Sequence, residues 1–296
     1  MSRRDSEMSE MQKRDTDLWF SELQTPDMKL GLKISGILRN IQTDYQHLLV
    51  AETFEYGRIL VLDGAVQLTE RDEFCYHEMM AHVPLFAHEA PSRVLIVGGG
   101  DGGILRECLK HERVKEVTLV DIDKEVVKAS REFFPHVSCS MDDERARILN
   151  MDALEFIKDH TNAFDVVIVD STDPVDFAAG LFKSSFYRDV FNSLDEKGIL
   201  VAQTESPFAE PELVRQAVEE MRTVFPKVSL YTGFMPTYPT GMWTYTAGSK
   251  YYDPSDVTDP SLKCDTRYYS HNIHKASFVL PPFLKDLLEG EKGGKQ

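Results

Sequence analysis

The chain has 296 residues, a formal net charge of −16 at pH 7 and a hydrophobic fraction of 42%. This composition supports a sizeable core, and the acidic excess disfavours surfaces for nucleic acid or anionic membranes, which need clustered lysine and arginine. No apolar run reaches about 18 residues, so the sequence predicts no transmembrane helix. The cysteines form no CxxC pair, which predicts reduced thiols in a cytoplasmic protein and no metal site; they are Cys75, Cys108, Cys139 and Cys264.

In chain order, residues 1–17 come first, are polar apart from methionine, and lack the apolar core of a signal peptide. They are predicted to form a disordered tail. Residues 18–71 are predicted to form a small β-stranded domain of short strands and turns. Within it, Asp63-Gly64 separates two apolar runs and favours a two-residue hairpin turn. Residues 72–296 are predicted to form a second, larger domain.

A helix is predicted near the start of the larger domain, because Phe74, Met80 and Val83 recur at roughly helical spacing. Pro84 is expected to interrupt this helix. Beyond Ser92, short runs that are apolar on both faces alternate with helical patterns. This alternation predicts an α/β fold with a parallel sheet covered on both sides. The predicted strands are 94–97, 117–120, 147–150, 164–169 and 198–202.

Acidic residues stand at or just past the carboxyl ends of these strands. In an open α/β sheet, those ends line one crevice, which is the usual ligand site. We therefore expect five carboxylates to converge at one edge of the sheet. They are Asp101, Asp121, Asp152, Asp170 and Glu205.

A glycine-rich loop follows the first strand of the larger domain. Gly98, Gly100 and Gly103 match G-x-G-x-x-G, and Asp121 follows eighteen residues after Gly103. Together they predict a nucleoside-type ligand whose ribose hydroxyls bind Asp121, and a nicotinamide-dependent oxidoreductase is the first hypothesis to test. Asp101 disfavours the pyrophosphate of such a cofactor, because like charges about 4 Å apart cost roughly 4 kcal/mol at an effective dielectric of about 20.

The acids suit a ligand with a ribose at one end and a cation at the other, such as an adenosyl sulfonium. Ordinary S-adenosylmethionine carries a carboxylate that Asp101 and Asp170 would repel, whereas the decarboxylated form ends in an ammonium that they would attract. The sequence therefore favours an aminopropyl donor over a methyl donor. A methyltransferase of the same fold remains an alternative.

Longer motifs occur in a fixed order along the chain. They are DGAVQLTERDEF at 63–74, YHEM at 76–79, GGGDGG at 98–103, DSTDP at 170–174, PTYPTG at 236–241, and YY at 268–269 with IH at 273–274. In this set and order, the chain resembles the spermidine synthases, which are polyamine aminopropyltransferases, and bacterial members in particular. The resemblance covers nearly everything from Trp19 to Leu288.

The resemblance implies a Rossmann-like, methyltransferase-type α/β sheet in the larger domain and a small N-terminal β-domain. It implies transfer of an aminopropyl group from decarboxylated S-adenosylmethionine to putrescine, giving spermidine and 5′-methylthioadenosine. The donor is then a co-substrate, and no cofactor or metal is expected. The expected partners are these small molecules and further copies of the chain, as a homodimer or homotetramer.

Residue roles also follow from the resemblance. Asp170 is the expected catalytic group that accepts a proton from the attacking amine, assisted by the Tyr76 hydroxyl. Donor contacts are assigned to Gln46, Gly100, Asp101, Gly102, Asp121, Asp152 and Ala153. Amine contacts are assigned to Trp19, Gln67, His77, Ser171, Thr172, Asp173, Glu205 and Tyr238.

A gatekeeping loop is expected over residues 171–181. The family often reads Asp-Pro-x-Gly-Pro-Ala there, whereas this chain has Asp-Pro-Val-Asp-Phe-Ala-Ala-Gly at 173–180. A proline that usually touches the adenine side is therefore absent. This departure puts the geometry of the closed loop in question and leaves the reaction as expected.

Other interpretations of these residues stay open from sequence. Asp170-Ser-Thr-Asp could be a helix-capping turn, and His77 could be structural. The tryptophans could be packing residues, or an aromatic over a diamine could make a cation–π contact. A catalytically silent polyamine-binding protein would keep the acids, and an enzyme for cadaverine, agmatine or spermidine would keep the chemistry.

Overall fold

The computed structural model describes residues 17–171, 180–181, 183–261 and 263–290. Most of the polar tail predicted at 1–17 lies outside the described residues, as do Thr172, Asp173 and most of the predicted loop. The described residues fold into two β-sheets with helices packed on the larger one. In these ranges, every helix is too short or too polar to cross a lipid bilayer.

The N-terminal sheet has five strands, each antiparallel to the next. The expected hairpin turn is confirmed: Asp63 and Gly64 have φ angles of 48° and 89°, as a turn with two left-handed residues requires. The second strand has 15 residues, longer than the short strands expected, and two register shifts let it bend. The strands are β1 Trp19–Thr25, β2 Met28–Gln42, β3 His47–Thr53, β4 Arg58–Leu62 and β5 Ala65–Thr69.

Helix α1, Glu73–Ala87, follows this sheet and carries Tyr76 and His77. The expectation that Pro84 would interrupt the helix is wrong, because Pro84 lies inside it. Every residue of α1 except Phe74 is buried. A proline inside a helix costs roughly 3 kcal/mol, and burial on all sides outweighs that cost here.

The larger sheet has seven strands in the order β11-β12-β10-β9-β6-β7-β8. All five strands predicted from sequence are present and parallel, whereas β11 and β12 were not predicted, and β12 runs antiparallel to both of its neighbours, β10 and β11. The strands are β6 Arg93–Gly98, β7 Glu116–Asp121, β8 Ala146–Asn150, β9 Phe164–Asp170, β10 Leu194–Gln203, β11 Lys227–Phe234 and β12 Met242–Ser249. The remaining helices are α2 Gly103–Leu109, α3 Lys124–Phe133, α4 Ala153–Lys158, α5 Ser184–Ser193, α6 Pro211–Arg222, α7 His271–Ser277 and α8 Pro282–Glu289.

The central strands are apolar throughout because both of their faces are covered. In β6, Val94 and Ile96 pack in one core with α1 and α2, whereas Leu95 and Val97 pack in a second core with α4 and α5. Alternate side chains of a strand point to opposite faces, so a four-residue apolar run supplies both cores. This arrangement confirms the predicted Rossmann-like α/β fold with an N-terminal β-sheet.

The strand order reverses between β6 and β9, which are parallel neighbours. Gly98 at the end of β6 stands opposite Asp170 at the end of β9. Loops that leave adjacent strands in opposite directions open a crevice at such a point, where ligands bind in open α/β sheets. The fold therefore places the glycine-rich loop and Asp170 on the same crevice.

Candidate active site

The glycine-rich loop after β6 allows the backbone to pass close to Asp170. Gly98 has φ 78°, and a Cβ there would lie 2.0 Å from the Asp170 carbonyl oxygen. The Gly99 N–H donates to that same oxygen at 3.1 Å. Only glycine tolerates this backbone angle and this contact together, so the loop holds Asp170 at the crevice.

Asp170 is held by Tyr76 from the opposite side of the crevice. The Tyr76 hydroxyl donates to Asp170 Oδ1 at 2.6 Å. Burial raises the pKa of the Asp170 carboxyl to about 7; the charge of Asp101 adds to this effect, and the Tyr76 hydrogen bond opposes it. Burial, and then Asp170, raise the pKa of Tyr76 well above its ordinary value. Tyr76 thus stays a donor, and Asp170 can take up a proton near neutral pH.

Asp101 is fixed by a chain of charged groups on α1 and α2. Its Oδ1 accepts from the Gly103 N–H at 2.6 Å and lies 3.4 Å from His77 Nε2. His77 Nδ1 lies 2.6 Å from Glu73 Oε2, which also accepts from Arg106 at 2.8 Å. Since the Gly103 amide is already bound to Asp101, it is not available to a pyrophosphate, which disfavours a dinucleotide in this loop.

The ionisation states along this chain follow from its contacts. Burial by itself would lower the pKa of His77, but Asp101 and Glu73 raise it to about 10. Burial likewise opposes ionisation of Asp101 and Glu73, yet His77 holds the pKa of Asp101 below its usual value, and His77 with Arg106 lowers that of Glu73 to about 2. An imidazolium therefore stands beside the Asp101 carboxylate.

Asp121, the last residue of β7, faces the glycine-rich loop. Its Oδ2 accepts from the Gly100 N–H at 2.9 Å and its Oδ1 from the Asp123 N–H at 2.8 Å. Burial raises the pKa of Asp121 to about 6, although both backbone hydrogen bonds oppose the shift. Gln46 comes from the N-terminal sheet and donates to Asp123 Oδ2 at 3.0 Å. The small domain thus contributes to the wall of the crevice.

Two cavities meet at Asp170. The first holds about 940 Å³ of space, including the part open to solvent, and its walls include Gln46, Gly100, Asp101, Asp121, Asp152 and Ala153. The second holds about 1140 Å³, and its walls include Glu22, Gln67, Gln203, Glu205, Tyr238 and Trp243. The residues common to both walls are Gln67, Tyr76, Asp170, Ser171 and Tyr238. An ionisable carboxylate at the junction of two cavities can act between two bound molecules.

The wall of the second cavity carries two more carboxylates, which do not line the first cavity. Glu22 of β1 and Glu205 after β10 are only 7% and 5% exposed. Glu22 Oε2 accepts from the Val66 N–H at 3.2 Å. Glu205 has φ 75°, a left-handed angle that is costly for a residue with a side chain and is common at functional sites. These acids favour a cationic occupant in the second cavity.

Comparison with known proteins decides the family. Residues 73–259 match the model of the Spermine/spermidine synthase domain, and residues 18–70 match that of the Spermidine synthase tetramerisation domain. This chain belongs to the spermidine synthase family. The resemblance seen in the sequence is thereby confirmed, and the protein is an enzyme of the polyamine aminopropyltransferase class.

Individual relatives support the assignment of this chain to the spermidine synthase family. The polyamine aminopropyltransferase of Caldicellulosiruptor saccharolyticus is 50% identical over 93% of this chain and 99% of its own length. That of Bacillus subtilis strain 168 is 47% identical over 93% and 100%. Two solved spermidine synthases are 40% identical over 95% of this chain and 99% of theirs: one in complex with the transition state analogue AdoDATO, with TM-score 0.90, and one from Thermotoga maritima, with TM-score 0.89.

Most site residues expected for a spermidine synthase line the two cavities, with three differences. Trp19 is 54% exposed and lines neither cavity, while Trp243 lines the second with its ring against Tyr238. Gly102 caps α2 without lining the first cavity. His77 lines the first cavity, beside Asp101, although it was expected in the amine channel.

Sequence reasoning missed Glu22 and Glu73. Glu22 reaches the second cavity only because β1 lies near β5, which no local motif reveals. Glu73 stands four residues before His77 in the predicted helix, a spacing that brings two side chains together. The i, i+4 spacing was therefore a usable signal for Glu73.

The imidazolium of His77 is a positive charge that lowers the pKa of Asp170. We expect His77→Gln, which keeps polar contacts but removes the charge, to shift the midpoint of the pH–rate profile to higher pH. The measurement is the initial rate of aminopropyl transfer from pH 5.5 to 9.5. The control is His88→Gln, because His88 is also a buried histidine, with its ring packed on Tyr252. An unchanged midpoint in His77→Gln would show that Asp170 does not respond to this charge.

Proposed function

We propose that the protein transfers the aminopropyl group of decarboxylated S-adenosylmethionine to putrescine, giving spermidine and 5′-methylthioadenosine. The observation that carries the proposal is the position of Asp170, bound to Tyr76, where two cavities meet. A relative of the same fold and 40% identity was solved with a transition state analogue, AdoDATO, which supports the same chemistry here.

The first cavity suits the donor. Asp121 and the loop amides stand where a ribose and its neighbours would bind, and Asp101 supplies a carboxylate for the aminopropyl ammonium. Asp152 caps α4 by accepting from the Leu154 N–H at 2.8 Å and stays exposed at the outer wall, where it can accept from an adenine amino group. The carboxylates in the wall of this cavity favour a cationic donor.

The reaction forms a bond between the amine nitrogen and the carbon next to the sulfonium. The carbon–sulfur bond breaks, its electron pair goes to sulfur, and neutral methylthioadenosine leaves without needing an acid. The amine must first lose a proton, which at an ordinary pKa near 10.4 costs roughly 4 to 5 kcal/mol at pH 7. Asp170 takes that proton, and the bound sulfonium favours its ionised form beforehand. This chemistry uses the donor as a co-substrate and calls for no cofactor.

The second cavity suits a diamine. Glu22 and Glu205 line the second cavity and not the first, so they can hold the second ammonium while Asp170 neutralises the first. The aromatic rings of Tyr238 and Trp243 also line the second cavity. They form an apolar surface against which the short methylene chain of a diamine can pack. These features support an acceptor with two cationic ends.

The function is tested by comparing acceptor amines. Purified protein is incubated with decarboxylated S-adenosylmethionine and putrescine, cadaverine, agmatine or spermidine, and products are read by mass spectrometry. We expect spermidine and methylthioadenosine from putrescine as the major products. A product from another amine alone would keep the mechanism and correct the acceptor, and no aminopropyl transfer to any amine would refute the proposal.

The carboxylates that line only the second cavity give a second test. We expect Glu22→Gln to raise the KM for putrescine by roughly 10- to 100-fold, as for the loss of one charge-assisted hydrogen bond, and to leave the KM for the donor nearly unchanged. The same variant should lose little with n-butylamine, which has no second ammonium. Glu116→Gln, at an exposed position, is the matched control. Equal losses with putrescine and n-butylamine would contradict this role of Glu22.

We also propose that the chain is a cytoplasmic homotetramer. Residues 18–70 match a tetramerisation domain, and the cysteines are free thiols, as reducing compartments keep them. Several large apolar side chains of the N-terminal domain are exposed in the single chain: Leu18, Trp19, Leu23, Ile37, Leu38 and Phe54. Light scattering coupled to size exclusion should give four times 33.7 kDa. A mass of one or two chains at micromolar concentration would contradict the tetramer.

A further inference from the structure

A cluster of metal-binding side chain types lies at the far ends of α1 and α2, outside both cavities. His82 Nδ1 and His111 Nε2 are 2.8 Å apart, and His82 Nε2 lies 3.0 Å from Glu107 Oε2. One ligand atom each from His82, His111 and Cys264 lie within 4.8 Å of one another. The three come from α1, from the turn after α2, and from the C-terminal segment, so the tertiary fold alone brings them together.

We propose that His82, His111 and Cys264 form a binding site for a transition metal ion, for which Zn²⁺ is the best match. The proposal departs from the sequence prediction of no metal site and does not depend on the aminopropyl transfer.

The donor set decides the class of metal. Two imidazole nitrogens and one thiolate suit zinc, whereas magnesium and calcium prefer oxygen ligands. Cys264 is only partly buried, so a water molecule can reach the fourth position of a tetrahedral ion. The site resembles neither a closed four-cysteine centre nor the acidic active-site crevice.

Glu107 supplies the support that metal-bound histidines usually have. A histidine ligand commonly donates its other ring N–H to a carboxylate, which fixes the ring and leaves a lone pair for the metal. Glu107 is fully buried and ion-paired with Arg106 at 2.8 Å and with Lys110 at 2.7 Å, which holds its carboxylate beside His82. When His82 Nε2–H donates to this carboxylate, Nδ1 is the ring nitrogen that faces His111 and can bind a metal ion.

His82 Nδ1 and His111 Nε2 are at hydrogen-bond distance, 2.8 Å, and an ion would bind between them. Nitrogens on one tetrahedral zinc stand about 3.3 Å apart, so the rings must separate by about 0.5 Å. His111 and Cys264 lie outside regular elements and can make that movement. Lys110 Nζ, 2.7 Å from Glu107, is a nearby positive charge, and Cys264 must lose its proton. Both effects make binding weaker than at a closed four-ligand site.

Cobalt(II) substitution tests the site. Full-length protein, freed of metal with a chelator and kept reduced, is titrated with CoCl₂ while absorbance is recorded. We expect one ion per chain, a near-ultraviolet thiolate-to-cobalt charge-transfer band, and displacement of both by ZnCl₂. Thermal unfolding should shift to higher temperature when ZnCl₂ is present.

Two variants assign the ligands. Cys264→Ser should lose the charge-transfer band and the thermal shift, His111→Asn should weaken binding at least tenfold, and the control Cys139→Ser, at an exposed cysteine, should behave as wild type. Cys264 is partly exposed, so its replacement leaves the core intact. No charge-transfer band in the wild type, a band retained in Cys264→Ser, or unchanged affinity in His111→Asn would each overturn the proposal.

Discussion

Asp170→Asn is expected to lower kcat by roughly 10²- to 10⁴-fold, the range for loss of a general base. Asparagine keeps the shape of the side chain and can still accept from Tyr76, but it cannot take the proton of the attacking amine. Donor affinity should fall much less than the rate. The measurement is release of methylthioadenosine with both substrates saturating, together with calorimetric binding of the donor. Asp159→Asn, at an exposed position, is the control.

The pH dependence of Asp170 adds a second signature. The carboxyl must be ionised to accept a proton, so the wild-type kcat/KM, which reports the ligand-free enzyme, should rise as pH increases through about 7 in the absence of other limits. The raised pKa also means that the folded state binds more protons than the unfolded state between about pH 4 and 7. This group's contribution to stability therefore declines as pH rises through that window.

Asp170→Asn removes that penalty, so the variant should unfold at a higher temperature than the wild type at pH 8 while having lost its turnover. The two proteins should be closer in stability at pH 4. An inactive variant that is also less stable at pH 8 would point to a structural defect. Near-normal turnover in Asp170→Asn would refute the role of Asp170 in the reaction.

Asp101→Asn is expected to weaken binding of decarboxylated S-adenosylmethionine by roughly 10- to 100-fold, since a hydrogen bond to a charged group contributes about 1.5–3 kcal/mol. Asparagine can still accept from the Gly103 N–H, so the loop keeps its shape while the charge is lost. The variant also leaves the His77 imidazolium with Glu73 as its remaining carboxylate neighbour, which further disfavours a cationic ligand.

The same variant tests donor discrimination. Asp101 should repel the carboxylate of ordinary S-adenosylmethionine. The affinity of Asp101→Asn for this donor should therefore fall less than its affinity for the decarboxylated donor, or even rise. The His77 imidazolium offsets part of the Asp101 charge, so the discrimination is smaller than two unpaired carboxylates would give. Calorimetry with both donors, against Asp159→Asn, measures the ratio. A ratio that does not change would contradict this role of Asp101.

Local signals account for what was correctly foreseen. The glycine-rich loop was recognisable because positive φ angles and close backbone contacts restrict Gly98 to glycine, and those demands act within a few residues. The parallel strands were recognisable because a strand covered on both faces is apolar throughout. Their shared carboxyl edge then brought Asp101, Asp121, Asp152 and Asp170 to one cavity.

Features that depend on distant segments were not foreseen. Pro84 lies within α1 because helix burial on all sides offsets a local penalty. Strands β11 and β12 extend the sheet by antiparallel pairing, where a parallel sheet was expected. The turn that carries Tyr238 is held when Thr237 donates to Asp72 Oδ2 at 2.8 Å, a contact between residues 165 positions apart. Such contacts follow from the packing of the two sheets, which no short window of sequence encodes.

The sequence by itself determined the family and the order of the central elements, and it singled out Asp170 as the carboxylate that we propose for the reaction, because these inferences rest on periodicity and on motifs that act locally. Tertiary structure alone decided which side chains meet: Glu22 with the second cavity, His77 with Asp101, and His82 with Cys264. The physical reason is that charged groups interact over a few ångströms in space. The partners named here are brought within that distance by the packing of segments that lie tens to hundreds of residues apart in sequence.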